Sequence, residues 1–409
     1  MKSVAASARP DTSTSPTLIS AGGWGFLISA LIGRLPAATV QLGLLMVVTS
    51  SGLGFRLGGL TVAAVGLGTA IGAPVIGRMV DRFGPFWVVS IALLGQVIGL
   101  LGSMLAVTSI TTPAPWILGF GFLTGLANPQ VGPIARGRWS LLARRHRAPD
   151  LIRRAMGYES ACDESSFIVG PAMAGVLVGL LGPVNALWAL LTFTVIGEGL
   201  FIAHLSRQRG EWLPDLSAPD ASLHARLPVG LMLWPLLACL AVGLTFGSTQ
   251  TALTAVNDSR GTPEVAGLIY GSVGIGSAVI SILVVRLRRV PLGLRIILGA
   301  LLAGSMATVM TVMDAPLPTA LVAVCLGLGV GVIVVSAITR VEQVAPSGRV
   351  NQCLTMASTS ITLGVSAGAA VAGQLVTVPH HGYWPSIAAG LIGVLAGVLT
   401  LAGERSTPS

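Results

Sequence analysis

The sequence predicts an all-α membrane protein: twelve transmembrane helices in two six-helix, pseudo-symmetric halves. Three observations carry that prediction. Hydrophobic residues make up 53% of the chain and charged ones 10%, at a mean hydropathy of +0.84, whereas a soluble domain carries about 25% charged residues. Apolar runs long enough to cross hydrocarbon recur along the chain, and only a helix satisfies its own backbone hydrogen bonds there. Residues 267–278, GLIYGSVGIGSA, repeat residues 59–70, GLTVAAVGLGTA, with Gly, Leu, Val, Gly, Gly and Ala returning at a constant offset of 208.

The spans fall at about 20–50, 57–78, 85–108, 114–136, 156–181 and 184–205, then 228–255, 265–286, 292–313, 316–339, 351–377 and 383–403. The polar segment 207–227 divides them, so the expected units are residues 1–206, a cytoplasmic linker 207–227, and residues 228–409. The first 17 residues are polar and lack the short apolar run of a cleavable signal, so the first span is expected to remain as a helix. Glycine is abundant, at 53 residues; in lipid it lets helices approach closely.

The net charge of +9 is a topology signal rather than a nucleic-acid footprint. With the N-terminus in the cytoplasm, every basic residue except Arg34, Arg56 and Arg260 falls on the cytoplasmic side, as the positive-inside rule requires. That places the chain in the cell membrane as a multi-pass protein with both termini cytoplasmic. The four cysteines, Cys162, Cys239, Cys325 and Cys353, stand singly in or beside apolar spans without metal-ligand spacing and read as small core residues. Neither a phosphate-binding G-x-x-x-x-G-K-[ST] loop nor an H-E-x-x-H pattern is present. The expectation is therefore a non-enzyme with no cofactor and no metal. His380 and His381 fall outside the spans and are expected to be solvated.

Charge inside a membrane span is costly and marks candidate functional residues. Five qualify: Arg34, Glu159, Asp163, Glu164 and Glu198. Glu159 and Asp163 are four apart and share a helical face with Ser166 and Gly170. Aligning Gly170–Pro171 with Gly364–Val365 of the eleventh span sets Glu159 opposite Cys353, Asp163 opposite Ala357 and Glu164 opposite Ser358. The fold does not require these acids. The competing reading is an interfacial salt-bridge cluster with Arg153, Arg154 or Arg82. Arg34 stands near the middle of the first span, with Pro36 loosening the helix and Gln41 two turns along the same face; it is placed to pair with a fifth-span carboxylate or to bind an anion. Glu198, in the sixth span, reads as a structural or lipid-interface residue.

Two segments resemble a known family. GRMVDRFG, Gly77–Gly84, is similar to the loop between the second and third helices of the major facilitator superfamily, G-x-x-x-D-R-x-G followed by basic residues. Here Pro85 and Phe86 replace the basic pair, and in the second half Val285, Arg286, Arg289 and Leu292 occupy the corresponding positions, without the glycine or the aspartate. Gly77, Asp81, Arg82 and Gly84 are thus expected to form a one-sided conformational latch, Gly77 allowing close helix approach. SFIVGPAMAG, Ser166–Gly175, resembles the G-x-x-x-G-P-x-x-G-G element of the twelve-helix drug–proton antiporter branch, with Gly170, Pro171 and Gly175 matching and a helix bend expected there.

The resemblance implies alternating access, with helices one, four, seven and ten lining the central cavity. It implies secondary transport, with proton-coupled efflux of small organic molecules as the leading expectation. Asp163, Glu159 and Glu164 are then the proton-coupling sites, and Arg34, Gln41, Asn128, Gln130 and Gln250 line the substrate pathway. Antiporters of this kind often hold an arginine deep in helix four; GLANPQVGP shows none before Arg136, so Arg34 is the candidate substitute. Ser248, Thr249 and the Ser358–Ser360 run offer neutral hydrogen bonds to a cavity. Expected partners are a small-molecule substrate, protons and the lipid bilayer, with no nucleic acid, and the protein is expected to be a monomer. Proton-linked uptake of an anionic metabolite at Arg34, and a membrane sensor that moves nothing, are the alternatives.

Overall fold

The computed structural model describes residues 16–109, 114–146, 148–207, 229–283, 289–346 and 350–406. All regular structure among them is helical. The order is α1 (Leu18–Val48), a π turn (Thr49–Leu53), α2 (Gly54–Phe83), α3 (Pro85–Thr108), α4 (Ala114–Leu126), α5 (Val131–Arg145) and α6 (Pro149–Ser206). Then follow α7 (Val229–Asp258), α8 (Pro263–Leu283), α9 (Leu292–Met310), α10 (Pro316–Val344), α11 (Val350–Leu375), a 3-10 turn (Pro379–Tyr383) and α12 (Trp384–Ser406).

Helix ends follow local chemistry. The Thr17 hydroxyl accepts from the Ser20 N–H at 3.1 Å to cap α1, and prolines open α3, α6 and α10, where their missing N–H is no loss. Gly84, at φ 77°, ends α2 and starts α3; that backbone conformation suits a residue without Cβ.

Ten stretches of the described residues are long and apolar enough to cross a membrane. The count differs from twelve for two physical reasons. Leu18–Phe83 runs 66 residues as one apolar stretch, about 100 Å if straight, yet α1 and α2 pack on each other; the chain therefore reverses at the π turn, where Gly52 and Gly54 both have φ 81°. The fourth apolar span is broken at residues 127–130, which leaves α4 at 13 residues and starts α5 afterwards. α6 likewise reverses at Gly182 (φ 74°) into two arms, Asp150–Gly182 and Val184–Ser206. Contacts prove the turn. Going up α1, Arg34 meets Asp163 and Ala38 meets Gly170, while Gly33 meets Gly197 and Gly43 meets Leu190, so the first arm runs parallel to α1 and the second antiparallel.

Packing within α1–α6 and within α7–α12 is dense, and the two groups meet mainly along α2 with α11 and the first arm of α6 with α8. The expected divide at 207–227 lies almost wholly outside the described residues. The glycine repeat explains both sets of contacts. Gly59 and Gly66 of α2 abut the backbone and small side chains of α11, and Gly267 and Gly274, 208 residues later, abut the first arm of α6. Gly68 abuts the α4 backbone at Phe122, and its counterpart Gly276 abuts the α10 backbone at Val324. The repeat is one packing code used twice: two positions face the other group, and one faces a neighbour in its own.

Those contacts between groups cluster at the end that carries the reversals at Gly52, Gly182 and Gly261. At the opposite, arginine-rich end Gly77 has nothing within 4 Å of where a Cβ would stand. Large apolar side chains such as Trp87, Leu105, Leu180 and Leu391 stand exposed, as they must where the solvent is hydrocarbon. Cys162, Cys239 and Cys353 are buried, and none of the four cysteines is joined in a disulfide.

Candidate functional site

Four charged side chains from three helices converge in the first group. Arg34 enters from α1. Its Nε donates to its own helix at the Ala30 carbonyl (3.0 Å), its Nη1 to Asp163 Oδ1 (2.8 Å) and the Glu159 carbonyl (3.2 Å), and its Nη2 to Glu159 Oε2 (2.5 Å). Every nitrogen of the guanidinium is engaged. Glu159 takes a second donor, the Trp139 indole N–H, on Oε1 at 2.8 Å. Asp163 takes a second cation, Arg136 of α5, on Oδ2.

Small residues let the helices come this close. A Cβ on Gly132 would stand 3.3 Å from Asp163 Oδ1, and one on Gly33 would stand 3.2 Å from the Gly197 carbonyl. Gly197 in turn lies against the Ile32 carbonyl and the Pro36 ring. Ile32 is the carbonyl that Pro36, lacking an N–H, leaves without its usual helical partner.

The four charges sum to zero, but the two acids are not equivalent. The Glu159 side chain is 0% exposed and the Arg34 side chain 5%. Asp163 and Arg136 are 32% and 38% exposed. One pair is sealed, held by Arg34 and Trp139. The other is partly exposed. A buried ion pair that loses one partner leaves an uncompensated charge, whereas a half-exposed pair exchanges at modest cost.

Sequence reasoning anticipated the pairing of Arg34 with the acids of the fifth span but not the whole constellation. Arg136 is expected as the last residue of the fourth span, at its cytoplasmic end; α5 continues to Arg145, and Arg136 pairs with Asp163 from within that helix. Gly132, Arg136 and Trp139 stand at i, i+4 and i+7, one helical face, and that spacing was the available signal. The interfacial reading also changes: among the described side chains the acids meet Arg34 and Arg136, not Arg82 or Arg154. The side chains of Glu164 and Arg153 lie outside the described residues.

Other expectations divide similarly. Gln41, Asn128 and Gln130 are half-buried and make no side-chain hydrogen bond among the described residues; Asn128 and Gln130 sit in the break before α5, beside the cluster. Ser248 and Thr249 do not face a cavity: both are buried and bond Ser386 of α12, at 2.5 and 3.0 Å. Gln250 is buried with its Nε2 unpartnered. Glu198 is not at a lipid interface either. It is 1% exposed, and the Gln96 amide, turned to donate, reaches its oxygens at 2.9 and 3.1 Å. His380 is not simply solvated: its Nε2 lies 3.3 Å from the Met313 carbonyl, beside an Arg260–Asp314 pair.

The motif residues are placed as follows. Asp81 and Arg82 are exposed; Arg82 lies over the Phe83 ring at 5.2 Å, and Asp81 holds no ion pair among the described residues. The close approach expected at Gly77 is missing here: nothing stands within 4 Å of where its Cβ would be. In α6 the backbone leaves helical geometry at Gly182, not at the expected bend of Gly170–Pro171. Gly170 instead packs on Ala38 and Thr39 of α1, and Gly175 on Gly267 and Glu264 of α8. Among the described residues no group of three His, Cys, Asp or Glu side chains is placed to hold a metal ion.

A bundle of apolar, membrane-length helices, glycine-packed between its two groups and holding a charge cluster inside the first, defines a multi-pass membrane carrier. The chain belongs to the Major Facilitator Superfamily, which it matches over residues 17–368, and is thus a transporter of that superfamily. It is 27% identical over 408 residues to the uncharacterized MFS-type transporter y4rN of Sinorhizobium fredii (strain NBRC 101917 / NGR234), covering 91% of this chain and 92% of that one. Its fold is similar to that of a bacterial homologue of the iron transporter ferroportin in the inward-facing state, with TM-score 0.70 and 17% identity over 95% of this chain and 99% of that one. It is also similar to the nucleoside transporter NupG (0.68, 15%, 94% and 99%) and to a D-xylose–proton symporter (0.63, 15%, 92% and 95%). At such identities these likenesses speak for the fold alone.

Proposed function

We propose that the protein is a secondary active transporter that exports small organic molecules in exchange for protons, with Asp163 as the exchanging acid. The observation that carries this reading is the asymmetry of the cluster: Asp163 is paired and open, while Glu159 is paired and sealed. Protonating Asp163 removes the charge that holds Arg136, so that guanidinium is released from the first arm of α6 while the Arg34–Glu159–Trp139 unit keeps α1, α5 and α6 assembled. A solute arriving at the open side then meets either a carboxylate or a released guanidinium, according to the proton.

Support for export comes from the Gly170–Pro171–Gly175 element, which here packs into the closed seam between α6, α1 and α8. In the other conformation that seam must open and the arginine-rich end close, bringing Gly77, Asp81, Arg82 and Gly84 against the second group as a latch. Anion uptake at Arg34 is less well supported, because all three guanidinium nitrogens are already bonded.

The test uses protein reconstituted in liposomes and a panel of organic cations, neutral aromatics and anions, with proton movement as the readout. The wild type should move protons on addition of at least one class, and Asp163→Asn should not. Proton movement that survives Asp163→Asn would remove this residue from the mechanism.

A further inference from the structure

A second polar feature lies in the other group, away from the cluster. At the arginine-rich end a cavity of about 280 Å³ is lined by Gly230, Leu231 and Trp234 of α7, Arg340 of α10, and Thr400 and Gly403 of α12. Arg340 is 9% exposed and makes no hydrogen bond or ion pair among the described residues. The other buried arginines differ. Arg34 is saturated, Arg138 lies over the Phe26 ring at 5.1 Å, and Arg295 donates to the Val290 carbonyl at 2.9 Å. A guanidinium carries five N–H donors and no acceptor, and those of Arg340 meet no acceptor among the described residues.

The rest of the lining suits an anion. Gly230 and Leu231 belong to the first turn of the 30-residue α7, where leading N–H groups lack helical acceptors and the helix dipole is positive. The nearby acids point elsewhere: Glu404 accepts from the Gly293 N–H of α9 at 3.3 Å, and Glu342 is exposed. Exposed Gly230 and Ala402 leave the cavity open on its outer side, and Trp234 supplies the kind of aromatic wall found at membrane interfaces.

We propose that this cavity binds a phosphate-type oxyanion through the Arg340 guanidinium and the first turn of α7, supplied either by an anionic phospholipid headgroup or by free phosphate. The planar fork of an arginine matches two oxygens of such a group, and basic pockets between helices on the positive side of a membrane take anionic headgroups. Bound there, the anion ties α7, α10 and α12 together at the arginine-rich end.

Thermal unfolding of the purified full-length protein in detergent tests this, with added short-chain phosphatidylglycerol, phosphatidylcholine of equal chain length, or sodium phosphate against sodium chloride of equal ionic strength. Phosphatidylglycerol should raise Tm by several degrees more than phosphatidylcholine, and that excess should vanish in Arg340→Gln but persist in the exposed-site control Arg405→Gln. Gly403→Leu is the second variant, because a Cβ there meets only Leu231 Cδ2 at 3.8 Å and the longer side chain fills the cavity with Arg340 intact; it too should lose the excess. A rise with sodium phosphate as well would show that the free anion suffices, and a rise with phosphatidylglycerol alone would assign the site to lipid. Equal effects of the two lipids and no effect of phosphate would overturn the proposal, as would an excess that persists in Gly403→Leu. The readout needs no transport substrate and is independent of the proton-exchange reading.

Discussion

The two halves of the bundle pack alike and are charged differently. Gly170 of α6 rests on Ala38 and Thr39 of α1, and Gly364 of α11 rests on Gly243 and Leu244 of α7. One turn before Ala38 comes Arg34, and one turn before Gly243 comes Cys239, fully buried. Seven residues before Gly170 is Asp163, and seven before Gly364 is Ala357; Glu159 is answered by Cys353. So the same helix crossing is built once around two acids and an arginine, and once around two cysteines and an alanine. The second version shows that the crossing needs no charge. The first retains charge despite the cost of burying it, which points to a use in the transport cycle.

Breaking the charged version at its centre should have the largest effect. Arg34→Ala leaves Glu159 sealed without a cation, and should cost about 3–5 kcal/mol of stability together with transport, seen as loss of folded protein on size-exclusion chromatography. Copying the neutral half instead, as Arg34→Cys, Glu159→Cys and Asp163→Ala together, should restore the folded fraction without restoring proton-driven transport. A triple variant as unstable as Arg34→Ala would show that the two crossings are not interchangeable.

Asp163→Asn should remove transport alone. Its partly exposed pairs are worth about 1 kcal/mol or less to the fold, so thermal stability should stay near wild type while proton exchange is lost. A smaller, symmetric effect is expected where the halves agree. Gly59→Leu and Gly267→Leu each place a side chain into the seam between the groups and should destabilise this conformation by about 1–3 kcal/mol. Pulsed EPR distances between labels at Ser50 and Thr377, in a cysteine-free background, should lengthen in both; lengthening in only one would mean the repeat is not used equivalently. The smallest effect belongs to Glu198→Gln. That acid has an amide partner and no cation, so the swap should change stability by less than about 1.5 kcal/mol and leave transport intact, unlike any change at Asp163.

How much of this was legible in the sequence follows from what a membrane dictates. Hydrocarbon forces the backbone into helices, so the spans and the glycine repeat could be read directly, and a charge such as Arg34 stands out against an apolar run. What hydropathy could not show was where a helix continues after it becomes polar. Arg136 and Trp139 follow the Asn128–Pro129 break and sit among other arginines, at and beyond the end of the expected fourth span, although their spacing is helical. Nor could it show which neutral polar residues face a cavity: Ser248 and Thr249 find Ser386 across more than a hundred residues of chain, and only the fold brings them together. The latch residues Gly77 and Asp81 were legible as a motif, but in this conformation they touch nothing that reveals their part in the cycle.

Infrared difference spectroscopy during acidification of the purified protein tests the central claim most directly, because it reads a carboxyl group taking up its proton and requires no known substrate. The account predicts a protonated-carboxyl band on acidification that disappears in Asp163→Asn and persists in Glu159→Gln. A band unchanged in Asp163→Asn would contradict it.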